Sequence, residues 1–177
     1  MGENTSHWQA GKCLQTVRDA VELSEFGFRI QGLAAHVLLR LGARVLKINS
    51  QGHPDIVADT ERGFIRIEVE ADIHGSRPRV LTEEDLDGIA PREATDKGYF
   101  ALALCGPYPR WLLVDHSRLR RRRGTPASPA ILQGLSDTEA SERWTTEFIT
   151  LLLTHCPHLR AYSFSFLVRR ALEGRPL

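Results

Sequence analysis

The chain has 177 residues, of which 42% are apolar and 25% are charged, and its formal net charge is +1. This composition is typical of a folded globular domain and excludes a low-complexity chain. With a net charge this close to zero, the overall charge does not indicate a nucleic-acid or other charged partner. Any such partner must be recognised by a local cluster of charged residues.

No stretch approaches the roughly 18 consecutive apolar residues that a membrane span requires, and no basic segment followed by an apolar run opens the chain. The three cysteines, Cys13, Cys105 and Cys156, are odd in number and form no Cys-x-x-Cys pair. We therefore expect a cytoplasmic protein with reduced thiols and no membrane partner.

The cationic residues are biased in type. Three of the 23 are Lys, which leaves 20 Arg. The planar guanidinium matches phosphate oxygens, so the excess is compatible with nucleic-acid binding. A GC-rich coding sequence would produce the same excess without functional meaning, and both explanations remain open.

The N-terminal third predicts helices and then strands. Helical spacing of apolar residues predicts one helix from Cys13 to Glu25 and a second from Phe28 to Leu41, separated near Gly27. A short strand at 45–48 follows. A β-hairpin comes next, with arms at 55–59 and 64–71 around Thr60-Glu61-Arg62-Gly63.

The rest of the chain alternates between helix and strand. Thr82 predicts the N-cap of a short helix that Gly88 and Pro91 interrupt. The remaining predicted elements are buried strands at Tyr99–Cys105 and Trp111–Asp115, a helix at Asp137–Thr154 and an edge strand at Tyr162–Val168.

This order predicts an α/β fold in which a central mixed β-sheet is flanked by helices. A single domain is expected to cover residues 1–177. Its core would span about 12–116, and the C-terminal helix and edge strand would fall within 137–170.

The second arm of the hairpin alternates strictly. Arg66, Glu68, Glu70 and Asp72 share one face, and the residues between them form an apolar face. A turn centred on Glu61-Arg62 places Asp55 opposite Glu68, and a turn centred on Arg62-Gly63 places it opposite Glu70. Either register brings Asp55, Glu68 and Glu70 together.

Clustered carboxylates repel one another unless a cation neutralises them. Mg²⁺ takes oxygen ligands and serves phosphodiester hydrolysis, so these acids are candidate metal ligands. The alternative is a polar strand that faces solvent on a one-sided sheet. His53 could touch substrate, but its place in a turn favours a structural role.

The segment Gly52-His53-Pro54-Asp55, followed by Ile67-Glu68-Val69-Glu70-Ala71, resembles the PD-(D/E)XK nuclease superfamily over residues 26–115. The resemblance implies a three-layer restriction-endonuclease-like fold in which Asp55 and Glu68 bind Mg²⁺, with Mn²⁺ as a substitute. Most members have Lys where this chain has Glu70. Some have an acid there and still cut DNA, which implies that Glu70 is a third ligand or a general base. Glu25 could add an outer contact.

These expectations converge on a metal-dependent DNA endonuclease that hydrolyses phosphodiester bonds, with restriction, resolution, repair and transposon-end cleavage not distinguished. One active site per domain suggests a homodimer if both strands are cut. The alternative is a catalytically inactive nuclease-like domain that binds nucleic acid or acts as a scaffold. The candidate phosphate contacts are Arg77, Arg79, Arg92, Lys97, Arg120, Arg121, Arg122 and Arg123. For the basic run at 118–123, the alternative is a turn that is simply exposed to solvent.

Overall fold

The computed structural model describes residues 23–48, 52–72, 81–104, 110–120, 137–155 and 157–173. The three cysteines, most of the predicted helix from Cys13 to Glu25, and Arg77, Arg79, Arg121, Arg122 and Arg123 lie outside these ranges. No helix within these ranges is long and apolar enough to cross a membrane.

The described elements follow one another in an alternating order of helices and strands. They are α1 (Leu23–Arg40), β1 (Arg44–Ile48), β2 (Ile56–Thr60), β3 (Gly63–Asp72), α2 (Glu83–Gly88), β4 (Lys97–Leu104), β5 (Arg110–Asp115), α3 (His116–Arg120), α4 (Thr138–His155), a 3₁₀-helix (Pro157–Ala161) and α5 (Phe164–Glu173).

The five strands form one mixed sheet in the order β1-β2-β3-β4-β5. Neighbouring strands are antiparallel except β3 and β4, which are parallel. Parallel neighbours require a crossover connection, and α2 lies within the segment that connects them. This crossover carries α2 onto the sheet beside the central strand β3.

Both faces of the sheet are covered. Ile67 and Val69 of β3 join a core that includes residues of α1, α4 and α5, while Phe100 of β4 joins a second core with Leu86 of α2. The α/β arrangement with a central mixed sheet flanked by helices is therefore confirmed. Since the core on the α1 side includes α4 and α5, those helices belong to the same packed unit as the hairpin.

The hairpin adopts the first of the two predicted registers. Thr60 pairs with Gly63 and Ile56 pairs with Ile67, so the turn is centred on Glu61-Arg62. Gly63 has a φ of +119°, and a Cβ atom there would lie 2.6 Å from the carbonyl oxygen of Thr95. Glycine is required at this turn because a side chain would be strained and would collide with the loop that precedes β4.

The break predicted near Gly27 is wrong, because α1 continues through Gly27 without interruption. A glycine inside a helix costs only about 1 kcal/mol relative to alanine. The buried stripe of Ile30, Ala34, Val37 and Leu38 anchors the helix on the sheet, so packing outweighs this local cost.

The edge strand predicted at Tyr162–Val168 is also wrong, because this segment leads into α5. Alternating aromatic and serine residues suggested a strand, yet the buried positions are Leu167 and Ala171, which are four residues apart as on a helix face. The Ser163 hydroxyl accepts a hydrogen bond from the amide of Phe166 at 3.4 Å, which supports the helix start.

Substitution Gly63→Ala should lower the free energy of unfolding by about 1–3 kcal/mol, because the positive φ and the contact with Thr95 both resist a side chain. Urea unfolding followed by circular dichroism measures the change. Gly32→Ala in α1 is the matched control, since a Cβ atom there meets nothing within 4 Å. An unchanged midpoint for Gly63→Ala would show that the turn can relax.

Candidate metal centre at the hairpin

Asp55 connects helix α1 to the central strand. Its side chain is buried, with Oδ1 accepting a hydrogen bond from Nε2 of Gln31 at 2.7 Å and Oδ2 accepting one from the amide of Val69 at 2.8 Å. Charge-assisted hydrogen bonds of this kind hold a carboxylate in one orientation. Asp55 is thus positioned by α1 and β3 directly before β2 begins.

Glu68 lies at the centre of the sheet on the α2 side, since it pairs with Phe100 of the second core. Continuing the hairpin register brings it beside Asp55. Only 4% of Glu68 is exposed. Its Oε1 lies 3.0 Å from Nδ1 of His53, whereas Oε2 is buried without a hydrogen-bond partner in the part of the chain that the structure describes.

Asp85 approaches the same position from α2. One of its oxygens, Oδ2, accepts a hydrogen bond from the amide of Thr82 at 2.6 Å, and the Thr82 hydroxyl accepts one from the amide of Asp85 at 3.1 Å. This reciprocal capping box fixes the helix start. The other oxygen, Oδ1, lies 3.2 Å from Nδ1 of His53, so the capping residue also faces the hairpin.

Gly88 lets the end of α2 approach the His53-Pro54 segment. A Cβ atom at Gly88 would lie 2.5 Å from Cβ of His53 and 3.2 Å from N of Pro54. Such a distance is shorter than normal van der Waals contact, so any side chain would push the two segments apart. The absence of a side chain at position 88 therefore helps to keep His53 beside Asp85.

The pKa values of Glu68 and His53 are shifted by burial and by the charges around them. Burial raises the pKa of Glu68 from 4.5 to about 7, and the charge of Asp55 adds to the rise, while the hydrogen bond from His53 opposes it. The same hydrogen bond with Glu68 raises the pKa of His53 above 6.5, against the effect of desolvation. Both groups therefore hold protons more tightly than in the unfolded chain.

Among the described residues, one group of potential metal ligands converges: His53, Glu68 and Asp85 each offer an atom, and these atoms lie within 4.8 Å of one another. Ligand atoms bound at about 2.1 Å to one ion lie about 3.0–3.4 Å apart along the edges of its coordination shell. The separations of 3.0 and 3.2 Å from Nδ1 of His53 match that spacing.

The three predicted acids occupy different environments. Glu68 belongs to the converging group, and Asp55 lies close enough to raise its pKa, but Asp55 is not one of its members. Glu70 is half-buried opposite Leu102 and also lies outside the group. The alternative of a solvent-facing polar strand is wrong for Asp55 and Glu68, since α2 and the second core cover that face.

Gln31 and Asp85 are parts of the site that the sequence pattern did not indicate, and the turn position of His53 had favoured a structural role for it. The Thr82 cap pointed to Asp85 as a helix residue, but nothing in the spacing indicated that α2 would return to Glu68. Packing of α2 on the second core through Leu86 and Ile89 brings Asp85 there.

Three of the predicted nucleic-acid contacts, Arg92, Lys97 and Arg120, lie within the described residues. Arg92 and Lys97 are exposed, and Arg120 is the last residue of α3. Lys97 pairs with Ile65, which packs on the α1 side, so Lys97 starts on the face opposite Glu68. It lines a surface depression of about 520 Å³ together with Arg118 and several acids, including Asp115 and Asp137.

Comparison of the chain with protein-family models, with curated proteins and with solved structures finds no match.

We expect the metal-free protein to lose stability as the pH rises from about 5 to about 8. A folded pKa that lies above the unfolded value contributes stability at low pH, and this contribution disappears as the pH rises through the folded value. Glu68, with a pKa of about 7, and His53 act in the same direction. The fall should be about 1–3 kcal/mol.

Urea unfolding in the presence of a chelator at several pH values measures this dependence. Glu68→Gln should flatten it, because the variant has no carboxylate to ionise at that position. A wild-type stability that rises between pH 5 and 8 would contradict the assignment of raised pKa values to this pair.

Proposed function

We propose that the protein is a metal-dependent endonuclease that hydrolyses phosphodiester bonds in DNA. The observation that carries the proposal is the Glu68 carboxylate, which is buried beside Asp55 and has one oxygen without a hydrogen-bond partner among the described residues. A buried carboxylate with an unsatisfied oxygen is costly, and a cation that it ligates removes both the excess charge and the unsatisfied acceptor.

The donors fit a divalent cation. Asp55 already accepts two hydrogen bonds, but a carboxylate has about four lone-pair positions and can bind an ion as well. Mg²⁺ is the cation that the family resemblance implies, with Mn²⁺ as a substitute. When bound, such an ion would activate water and balance the charge that develops on the phosphate oxygens.

The residues of the chain would divide the remaining work. Gln31 and the Val69 amide hold Asp55 in one orientation. Glu70 occupies the position of the family's usual Lys, on the same side of β3 as Glu68, and is only half-buried. We assign it the role of general base toward the attacking water. The exposed Arg92 is proposed to bind a DNA phosphate. Lys97, which starts on the face opposite Glu68, and Arg118, which lines the same depression, are proposed to contact DNA away from the metal site.

A second candidate is an inactive nuclease-like domain that binds nucleic acid or acts as a scaffold. Two observations favour it: Glu70 replaces the Lys of most members, and His53 already gives Glu68 and Asp85 a shared partner. A protonated imidazole between two carboxylates would balance part of their negative charge without a metal.

Cleavage of plasmid and branched DNA by the purified chain, with and without Mg²⁺ or Mn²⁺, tests the first proposal. Asp55→Asn and Glu68→Gln keep the side-chain shapes and remove the charge. Each should lower the cleavage rate by about 100-fold or more, since even partners behind the metal ligands are worth 10- to 100-fold. Glu61→Gln in the hairpin turn and Asp87→Asn on α2 are exposed controls that should cut normally.

The outcomes separate the two candidates. Metal-dependent cutting that both charge-removing variants abolish supports the endonuclease. DNA binding without cutting, in the wild type and in Glu70→Lys alike, supports the inactive domain. An absence of both DNA binding and metal binding would contradict both candidates.

A further inference from the structure

We propose that His53, Glu68 and Asp85 form a site for a first-row divalent transition metal, such as Mn²⁺, Co²⁺ or Zn²⁺, which Mg²⁺ fills poorly. The inference rests on the proposed metal-dependent function, because it names the ion of the same site. It adds two ligands, His53 and Asp85, that lie outside the acidic pair implied by the family resemblance.

The convergence of the three donors is the first observation. Nδ1 of His53 lies 3.0 Å from Oε1 of Glu68 and 3.2 Å from Oδ1 of Asp85. These separations are those of neighbouring ligands around one small ion. The donors come from three separate segments, namely the loop before β2, the middle of β3 and α2, so their meeting is a product of the tertiary fold.

The second observation is independent of these distances. Oε2 of Glu68 is buried and has no hydrogen-bond partner among the described residues, so contact with His53 leaves this carboxylate only partly satisfied. Buried polar atoms in native proteins nearly always have a partner. An ion bound by both oxygens of Glu68, Oε1 beside His53 and Oε2, would supply one.

The donor chemistry selects the class of metal. Neutral imidazole binds Zn²⁺, Co²⁺ and other first-row transition ions well, whereas Mg²⁺ prefers oxygen ligands and keeps several waters. The site offers one imidazole and two carboxylates, and the two carboxylate side chains are only 5% and 3% exposed, which disfavours an ion that keeps most of its water. The set should therefore favour ions that accept nitrogen and lose water more readily.

The surroundings of the donors are built to hold them in place. Asp85 is fixed by the capping box with Thr82, which uses Oδ2 and leaves Oδ1 facing His53. Gly88 allows the His53 backbone to approach α2 more closely than any side chain would permit. Preorganisation of ligands by a surrounding shell is what distinguishes a metal site from a chance cluster of acids.

Metal binding by the 177-residue chain, without DNA, tests the inference. Isothermal titration with Zn²⁺, Mn²⁺ and Mg²⁺ gives the affinities, and the visible spectrum of bound Co²⁺ reports coordination by imidazole. His53→Ala and Asp85→Asn should each weaken transition-metal binding by about tenfold or more. His36→Ala on α1 and Asp87→Asn on α2 are exposed controls that should leave it unchanged.

A third variant tests whether the spacing of the ligands matters when all three ligands are kept. Gly88→Ala removes no ligand but displaces His53 from Asp85, so it should also weaken binding. Gly32→Ala, where a Cβ atom meets open space, should not. Far-ultraviolet circular dichroism checks that each variant is folded. If Asp85→Asn disrupts the capping box with Thr82 and unfolds the protein, His53→Ala still tests the inference, because His53 has no part in that cap.

Tighter binding of Mn²⁺ or Zn²⁺ than of Mg²⁺, lost in His53→Ala, supports the inference. Mg²⁺ bound as tightly as Mn²⁺, or transition-metal affinity unchanged by His53→Ala, would overturn it. If His53→Ala still cleaves DNA with Mg²⁺, the transition-metal site is contradicted but the endonuclease proposal is supported. Transition-metal binding through His53 without any cleavage keeps the inference and removes the endonuclease.

Discussion

Burial of the Glu68 carboxylate on the central strand is the constraint around which the site is organised. A charge removed from water requires compensation, and the loop before β2 and helix α2 approach it with polar groups. His53 contacts Glu68 directly, and Asp85 contacts His53 from the crossover helix α2. Asp55 adds a second negative charge nearby, which intensifies the need for a proton or a cation.

The hairpin and the crossover helix depend on each other through this group. The hairpin register brings Asp55 to Glu68, and the parallel pairing of β3 with β4 brings α2 across the same face. Gly88 sets how closely the two can approach. A shift of one residue in the hairpin would turn Glu68 toward the opposite face of the sheet and separate it from Asp85.

Protons and the proposed metal ion would compete for the same atoms in this arrangement. Without a metal, His53 connects Glu68 to Asp85, and the raised pKa values of His53 and Glu68 favour the folded protein at mildly acidic pH. A bound metal would take the same nitrogen and oxygens as ligands and would displace their protons. The buried charge of Glu68 would then be balanced by the metal instead of by protons, and the proposed hydrolysis would require the metal.

The sequence by itself determined the local structure. The alternation on β3, the glycine in the hairpin turn and the Thr82 cap each predicted an element that the structure contains. These signals are readable in the sequence because they depend on residues only a few positions apart. Local pattern failed where packing overruled it, at Gly27 inside α1 and at the alternating aromatic run that became part of α5. Asp55 and Glu68 were recognisable as a pair because a hairpin connects them. Only the tertiary structure decided that Gln31, His53 and Asp85 would join them, because those contacts depend on how α1 and α2 pack on the two faces of the sheet.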